Sequence, residues 1–434
     1  MSAPPPEPGP VDVSVRAIAA GGAGVADLPD GRVVFVHRTA PGDRARVRVT
    51  RSKRSWARAE LVTLLEPGPG RREAPCPHYA RCGGCTLEHL EYAEQLRWKG
   101  RLVSDALQRI GGVEAEPPAV AASPRELRYR NRVTFTLKRL GRGRVVAGFH
   151  ELENPGRIVD MGGGCLLPEE VVADAWDGLR GAWGSGAGRL PAGRVLRLTL
   201  RAVGGGVVLV VGGGRGRGDP EALLEAVDGL RAVWHDADGG PPELLAGDRD
   251  TREAWLGESF PVGASAFLQV NRGAAELLHE AAIAAVEARP GDAVVDGYCG
   301  VGVYGRTLAR DGARVTGIEL DPEAAAAARA GAPAGFRVLE GAVEARLPEA
   351  LPADRVILNP PRTGLHEDVP ARLVGSGVER LVYVSCDPAT LARDAARLSA
   401  RFGLDALRAF DLFPQTAHVE TLAVFVAHGG GHGD

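Results

Sequence analysis

Lysine is nearly absent from this chain: Lys53, Lys99 and Lys138 are the only three among 434 residues, and arginine carries the remaining positive charge. That preference fits the composition of a genome and carries no function. Missing too is any apolar run near the roughly 20 residues that a membrane-spanning helix requires, so no span is expected. The first ten residues hold Pro4, Pro5, Pro6, Pro8 and Pro10 and no apolar core, which excludes a secretory signal peptide and leads us to expect a cytoplasmic protein. Neither charge is in large excess: 52 basic against 55 acidic residues leave a net charge of -3, which does not by itself announce a nucleic-acid binder. What is present is length for two or three domains, and six cysteines, which in a cytoplasmic protein point to metal or catalysis before disulfides.

The near-neutral average conceals a local excess. Between Arg32 and Arg58 eight arginines and Lys53 stand against Asp43 alone, the footprint expected of an RNA-facing surface. The same region alternates in short strands: Val11, Val13 and Val15, then Val33 to Val36, Ala45 to Val49 and Ala59 to Leu65. Turns at Gly21-Gly22 and Asp30-Gly31 separate them, and Pro67-Gly68-Pro69-Gly70 closes the set as a linker. A small barrel of the oligonucleotide-binding kind is predicted. The stretch from Gly21 to Val49 resembles a TRAM domain, an RNA-binding barrel carried by RNA-modifying enzymes.

After the linker come Cys76, Cys82 and Cys85 in CPHYARCGGC, with Cys165 eighty residues further on. Thiolates so spaced on a turn-rich segment can face one centre, and the donor chemistry allows zinc or an iron-sulfur cluster. The segment from Cys76 through the predicted helix Tyr92 to Ile110 resembles the iron-sulfur segment of the RNA 5-methyluridine methyltransferases. That resemblance implies a [4Fe-4S] cluster on Cys76, Cys82, Cys85 and Cys165. From Glu126 to Pro261 strands at Tyr129 to Lys138, Val145 to His150, Val195 to Leu200 and Gly206 to Val211 predict an antiparallel sheet, with Arg128, Arg130 and Arg132 as candidates to line an RNA path.

A third region begins near Phe267. A buried strand, Ala293 to Asp296, runs into DGYCGVGVYG, whose Gly297, Gly300 and Gly302 let a backbone approach a ligand. The next strand ends at Glu319, where an acidic side chain can accept from ribose hydroxyls. A later strand, Arg355 to Leu358, runs into Asn359-Pro360-Pro361. No lysine follows the glycines, so an adenosyl cofactor fits better than a nucleoside triphosphate, and the order is that of an S-adenosylmethionine-dependent methyltransferase.

Further on, the strand Leu381 to Val384 delivers Cys386 to the edge of the sheet, before a helix that starts at Asp387-Pro388. Unsatisfied N-H groups and the helix dipole there are expected to favour a thiolate. The blocks FLQVN, DGYCGVGVYG, GIELDPEA, NPPRTGL, VSCDPATLARD and FPQTAHVETLAVF together resemble the 5-methyluridine methyltransferases over nearly the whole chain. The resemblance implies that Gln269, Tyr298, Glu319 and Asn359 contact S-adenosylmethionine, that Cys386 is the nucleophile and that Glu420 is the base. Asn359 stands where the family usually has Asp, and Gly297 where it more often has leucine, a change expected to loosen the glycine loop.

The expected architecture is α/β: a TRAM-like barrel over residues 1–68, a middle α+β domain with the four-cysteine site over 69–262, and a Rossmann-like class I methyltransferase domain over 263–434. The expected activity is uracil-C5 methylation of ribosomal RNA, or of tRNA, by a monomer. Two alternatives stand beside it. An RNA cytosine-C5 methyltransferase uses the same thiolate addition, and an inactive RNA-binding protein with a zinc site needs neither Cys386 nor Glu420. An amino-group methyltransferase is suggested by Asn359-Pro360-Pro361, yet Arg362 stands where such enzymes place an aromatic ring.

Overall fold

The computed structural model describes residues 9–237, 242–261 and 268–428; Phe267, the expected start of the third region, and the prolines from Pro4 to Pro8 lie outside them. Alternation of apolar and polar residues builds the first sheet: β1 (Val11–Ser14), β2 (Ala17–Ile18), β3 (Gly24–Asp27), β4 (Val33–Val36), β5 (Arg44–Ser52) and β6 (Trp56–Glu66), in the order β1-β5-β6-β4-β3-β2. Ala45 and Val47 turn inward and are fully buried, while Arg44, Arg46 and Arg48 point outward.

The basic strip is not the uniform surface its sequence suggests. Register sets Asp12 opposite Arg46, Glu60 opposite Arg48 and Glu66 opposite Arg44. Ion pairs form at 2.7, 3.0 and 2.5 Å respectively, and Arg32 pairs with Asp30. The acids come from outside the basic run, which is why counting along the chain overstates its field. Arg51 and Arg58 instead flank Trp56, their guanidinium carbons 5.9 and 5.8 Å from its ring.

The cysteine-bearing loop leads into α1 (Tyr92–Ala106) and then to β7 (Val120–Ala121). A seven-stranded sheet follows: β8 (Arg132–Gly141), β9 (Arg144–His150), β10 (Ile158–Asp160), β11 (Val195–Val203), β12 (Gly206–Gly212), β13 (Leu230–Asp236) and β14 (Glu243–Gly247). Its order is β10-β9-β8-β11-β12-β13-β14. Helices α2 (Glu170–Ala182) and α3 (Pro220–Ala226) complete it, with Phe135, Trp176 and Leu198 in the shared core. The first strand begins at Arg132, not Tyr129. Tyr129 is buried with its hydroxyl on the Pro414 carbonyl at 3.0 Å, and Arg128 takes a positive φ of 55° to reach the carbonyl of Cys165 at 3.1 Å. Arg128 therefore braces the cysteine loop instead of joining an exposed strand row.

A hairpin, β15 (Arg252–Trp255) and β16 (Glu258–Pro261), precedes the third unit: α4 (Arg272–Val286), β17 (Ala293–Gly297), α5 (Val303–Arg310), β18 (Arg314–Glu319), α6 (Pro322–Arg329), β19 (Phe336–Glu340), α7 (Val343–Ala350), β20 (Arg355–Leu358), α8 (Asp368–Val374), β21 (Arg380–Ser385), α9 (Pro388–Leu398), β22 (Phe402–Phe410) and β23 (Glu420–Ala427). The sheet runs β19-β18-β17-β20-β21-β23-β22-β7, parallel from β19 to β21, with β23 antiparallel to both β21 and β22. Helices on both faces make its strands continuously apolar; Leu381 to Val384 are all fully buried. Val103 of α1 and Leu107, just past its end, join the core on one face, so α1 packs on this sheet. Among the described residues no helix is long and apolar enough to cross a membrane.

Candidate active site and cysteine centre

In a doubly wound sheet the crevice opens where strand order reverses, outside the carboxyl ends of the strands. Here the reversal falls between β17 and β20. Tyr298 follows β17, Glu319 ends β18, Asn359 follows β20 and Cys386 follows β21, so four of the expected residues share that edge. Glu319 closes the glycine loop, accepting from the N-H of Gly300 at 2.8 Å and of Asp321 at 2.7 Å. Asn359 donates its backbone N-H to the Gly297 carbonyl at 3.2 Å, joining the two strand exits. Gln269 precedes α4, and its neighbour Leu268 packs with Val301 and Val303 of the glycine loop. Tyr298 takes a positive φ of 63°, a strained conformation typical of ligand-facing loops. Gly297 does not loosen this loop. A Cβ there would meet Leu358 Cδ2 at 2.6 Å, so the leucine of the next strand already fills the space.

Glu420 reaches the same corner from the opposite direction. Because β23 runs antiparallel to β21, Ser385 pairs with Thr421, which sets Cys386 and Glu420 at the adjoining end of the ladder. Burial and the charge of Glu420 push the Cys386 thiol above its ordinary pKa, opposed by the Arg362 guanidinium. Burial outweighs the expected help from the helix start. Asp387 Oδ1 occupies the helix start, accepting from Ala389 and Thr390 at 2.8 and 3.1 Å, so those donors are spent before they reach the sulfur. Glu420 is buried, and burial raises its carboxyl to about 8, again opposed by Arg362.

The four cysteines expected to hold a metal centre come together from two separate loops. Cys76, Cys82, Cys85 and Cys165 line a single small pocket, together with Tyr79, Glu88 and Phe149. Two hydrogen bonds stitch the loops around it: Gly83 N-H to the His150 carbonyl at 2.9 Å, and the His78 side chain, through Nε2, to the Gly163 carbonyl at 2.8 Å. Arg38 lies over the Tyr79 ring at 3.7 Å and donates to the carbonyls of Cys82 and Cys85 at 2.6 and 2.9 Å. Burial raises all four thiols, Cys165 to about 12. Burial raises the Glu88 carboxyl to about 7, opposed by the charges of Arg72 and Arg38. Among the described residues no three His, Cys, Asp or Glu side chains form a group arranged to hold a metal ion.

Comparison with known proteins agrees with this layout. Residues 342–428 match the tRNA (Uracil-5-)-methyltransferase family model and residues 10–62 the TRAM domain. An RNA methyltransferase of Gloeobacter violaceus is 35% identical over 95% of both chains. The 23S rRNA (uracil(1939)-C(5))-methyltransferase of Acidithiobacillus ferrooxidans is 33% identical, covering 96% of this chain and 97% of its own. The chain belongs to the RNA (uracil-5-)-methyltransferase family. Among solved structures, the Pyrococcus abyssi tRNA (uracil-54, C5)-methyltransferase in complex with S-adenosyl-L-homocysteine superposes with a TM-score of 0.73 at 27% identity, covering 96% of this chain and 99% of that one. This uracil-5-methyltransferase thus carries a TRAM barrel and a Rossmann-like methyltransferase sheet. Two of its features escaped the sequence: Arg362, whose charge reaches both Cys386 and Glu420, and the buried Lys99–Asp411 pair at 2.5 Å. Arg362 was legible only as a departure from another enzyme class, and Lys99 lies 312 positions from its partner.

Proposed function

We propose that this enzyme makes 5-methyluridine in large-subunit ribosomal RNA, with S-adenosylmethionine as donor, Cys386 as nucleophile and Glu420 as base, as a single cytoplasmic chain. The observation that carries the proposal is the meeting of Cys386 and Glu420 at the paired ends of β21 and β23. Carbon 5 of uracil is too weak a nucleophile to accept a methyl group unaided. A thiolate adding to carbon 6 turns the ring into an enolate whose electrons are placed on carbon 5. Carbon 5 then takes the methyl from the sulfonium donor, which leaves as the neutral thioether. Glu420 removes the carbon-5 proton, the C5=C6 bond reforms, and the C6–S pair returns to Cys386. Gln269, Tyr298, Glu319 and Asn359, at the rim of the crevice, are proposed to hold the donor.

The ribosomal target is supported by the Acidithiobacillus relative, which matches almost end to end; the Pyrococcus structure favours tRNA as the second reading. An RNA strand would run past Trp56 with Arg51 and Arg58 beside it, where a base can stack between aromatic and guanidinium surfaces. The division into 1–68, 69–262 and 263–434 belongs to the same proposal, the first two parts gripping the strand whose uridine is drawn from its stack. For Cys76, Cys82, Cys85 and Cys165 we propose a [4Fe-4S] cluster. Four soft donors around one cavity suit iron and sulfide, and the Arg38 guanidinium beside two of them offsets the negative charge such a group brings. When bound it would serve as a cross-link between the two cysteine loops.

Methyl-labelled donor with 23S rRNA or tRNA transcripts tests the chemistry and the target together. Glu420→Gln keeps the shape but cannot take the proton, so a labelled protein–RNA adduct stable to denaturing gels is expected, with the preferred RNA alone. Cys386→Ala is expected to give neither adduct nor product. An adduct formed by Cys386→Ala would remove the nucleophile from this scheme.

A further inference from the structure

The loop that delivers Glu420 is held largely from outside its own sheet. Residues 411–419 join Phe410 to Glu420, and these two face each other across the β22–β23 ladder. A shift of the loop is therefore felt first at Glu420. Lys99 of α1 donates to Asp411 Oδ1 and to the Phe413 carbonyl at 2.5 and 3.1 Å, and Tyr129 donates to the Pro414 carbonyl. Gln415 is the centre of the arrangement. It is fully buried at a positive φ of 70°, a conformation that a residue with a side chain keeps only when its surroundings impose it.

Each hydrogen-bonding group of Gln415 is engaged, and its partners all lie between residues 72 and 126. Its carbonyl accepts from the N-H of Thr86 and of Leu87, both at 2.9 Å, the two residues that directly follow Cys85. Its own N-H donates to Gln95 Oε1 at 2.9 Å. Its side-chain oxygen accepts from Gln95 Nε2 at 2.9 Å and from Arg72 Nη2 at 3.1 Å, and its Nε2 donates to the Glu126 carbonyl at 3.3 Å. The cysteine loop and the loop of the proposed base are thus one hydrogen-bonded unit.

We propose that Gln415 is a positioning residue for Glu420, through which the cysteine-bearing segment sets the base that ends the reaction. The inference rests on the reading of Glu420 as the group that removes the carbon-5 proton. It assigns the cysteine segment an effect on one chemical step, elimination, beyond holding the fold together. Addition of Cys386 and methyl transfer precede that step and do not require Glu420 to take a proton.

The test separates the two steps in single turnovers with labelled donor. Gln415→Ala, and Gln95→Met as a second variant that removes two of the same bonds, are expected to form methylated adduct at near the normal rate. Both should release it about tenfold more slowly, a part of the roughly 10²–10⁴-fold that a positioned base supplies. A merely structural role would lower both steps together, and that result, or unchanged release in whichever variant folds, overturns the proposal. Glu420→Gln run in parallel keeps the readings apart. If it accumulates adduct while the Gln415 and Gln95 variants do not, only this inference fails; if it accumulates none, the assignment of the base fails first. Amide hydrogen exchange gives a readout independent of turnover. Chelator treatment, or Cys85→Ser, is expected to raise exchange across 411–419 while leaving β17 and β20 unchanged; equal protection of 411–419 in both states would contradict the coupling.

Discussion

At the scale of single residues the active corner is poised away from reaction. Cys386 and Glu420 both act deprotonated, and burial holds both acids above their ordinary values, Glu420 at about 8. A raised acid is charged only above its raised pKa, so activity must fall as pH falls through that value. We therefore predict that kcat, which includes elimination, climbs through neutrality as Glu420 ionises near its value of about 8, that kcat/KM for RNA keeps climbing with the raised Cys386 thiol, and that Arg362→Ala, which removes the opposing cation, moves both rises to higher pH. A kcat profile flat between about pH 6 and about pH 9 would contradict Glu420 as the base, and a flat kcat/KM profile would contradict Cys386 as the nucleophile. Cys386 was legible because a strand, a cysteine and an Asp-Pro helix start stand in one short run. The state of its sulfur was not, because Asp387 spends its carboxylate on the helix N-H groups and that competition exists only in three dimensions.

Among the elements, β5 and β6 show how register rewrites a charge pattern. Along the chain Arg44, Arg46 and Arg48 belong to one basic run; across the ladder each meets an acid. Exposed pairs of this kind contribute at most about 1 kcal/mol to stability, but they cancel much of the field offered to a phosphate. Removing Arg51 and Arg58 together is predicted to weaken RNA binding and to flatten its dependence on salt, by about 0.7 in slope for each phosphate of a single strand that is no longer neutralised. Removing Arg46 and Arg48 should change the slope less. Filter binding at several salt concentrations decides it, and equal slopes for the two double variants would return the binding face to the outer strip. Strand positions were readable from alternation to within a few residues, as Val33–Val36 shows; pairing partners were not, since Asp12 lies outside the stretch that alerts the eye.

For the molecule as a whole, the order of motifs in the sequence foreshadowed the family, while the bonds that unite its parts stayed hidden. Lys99 to Asp411 and Thr86 to Gln415 join positions more than 300 apart, and no local pattern announces such pairs. One prediction lives at this scale. Protein purified without oxygen should be brown and bleach with oxidant, and Cys165→Ser should remove most of the colour, because the fourth donor arrives from a separate loop; colourless protein with one zinc per chain would retire the iron-sulfur assignment. β7 adds a constraint of timing. Val120 lies beside Ala409 in the finished sheet, about 290 positions later. At about 5–20 residues per second of synthesis, Val120 and the apolar face of α1 wait roughly 15–60 s on the ribosome before their partners exist. The last strands to be made are thus the ones that cover β7 and α1, and a chain truncated before β22 would carry that exposed surface permanently.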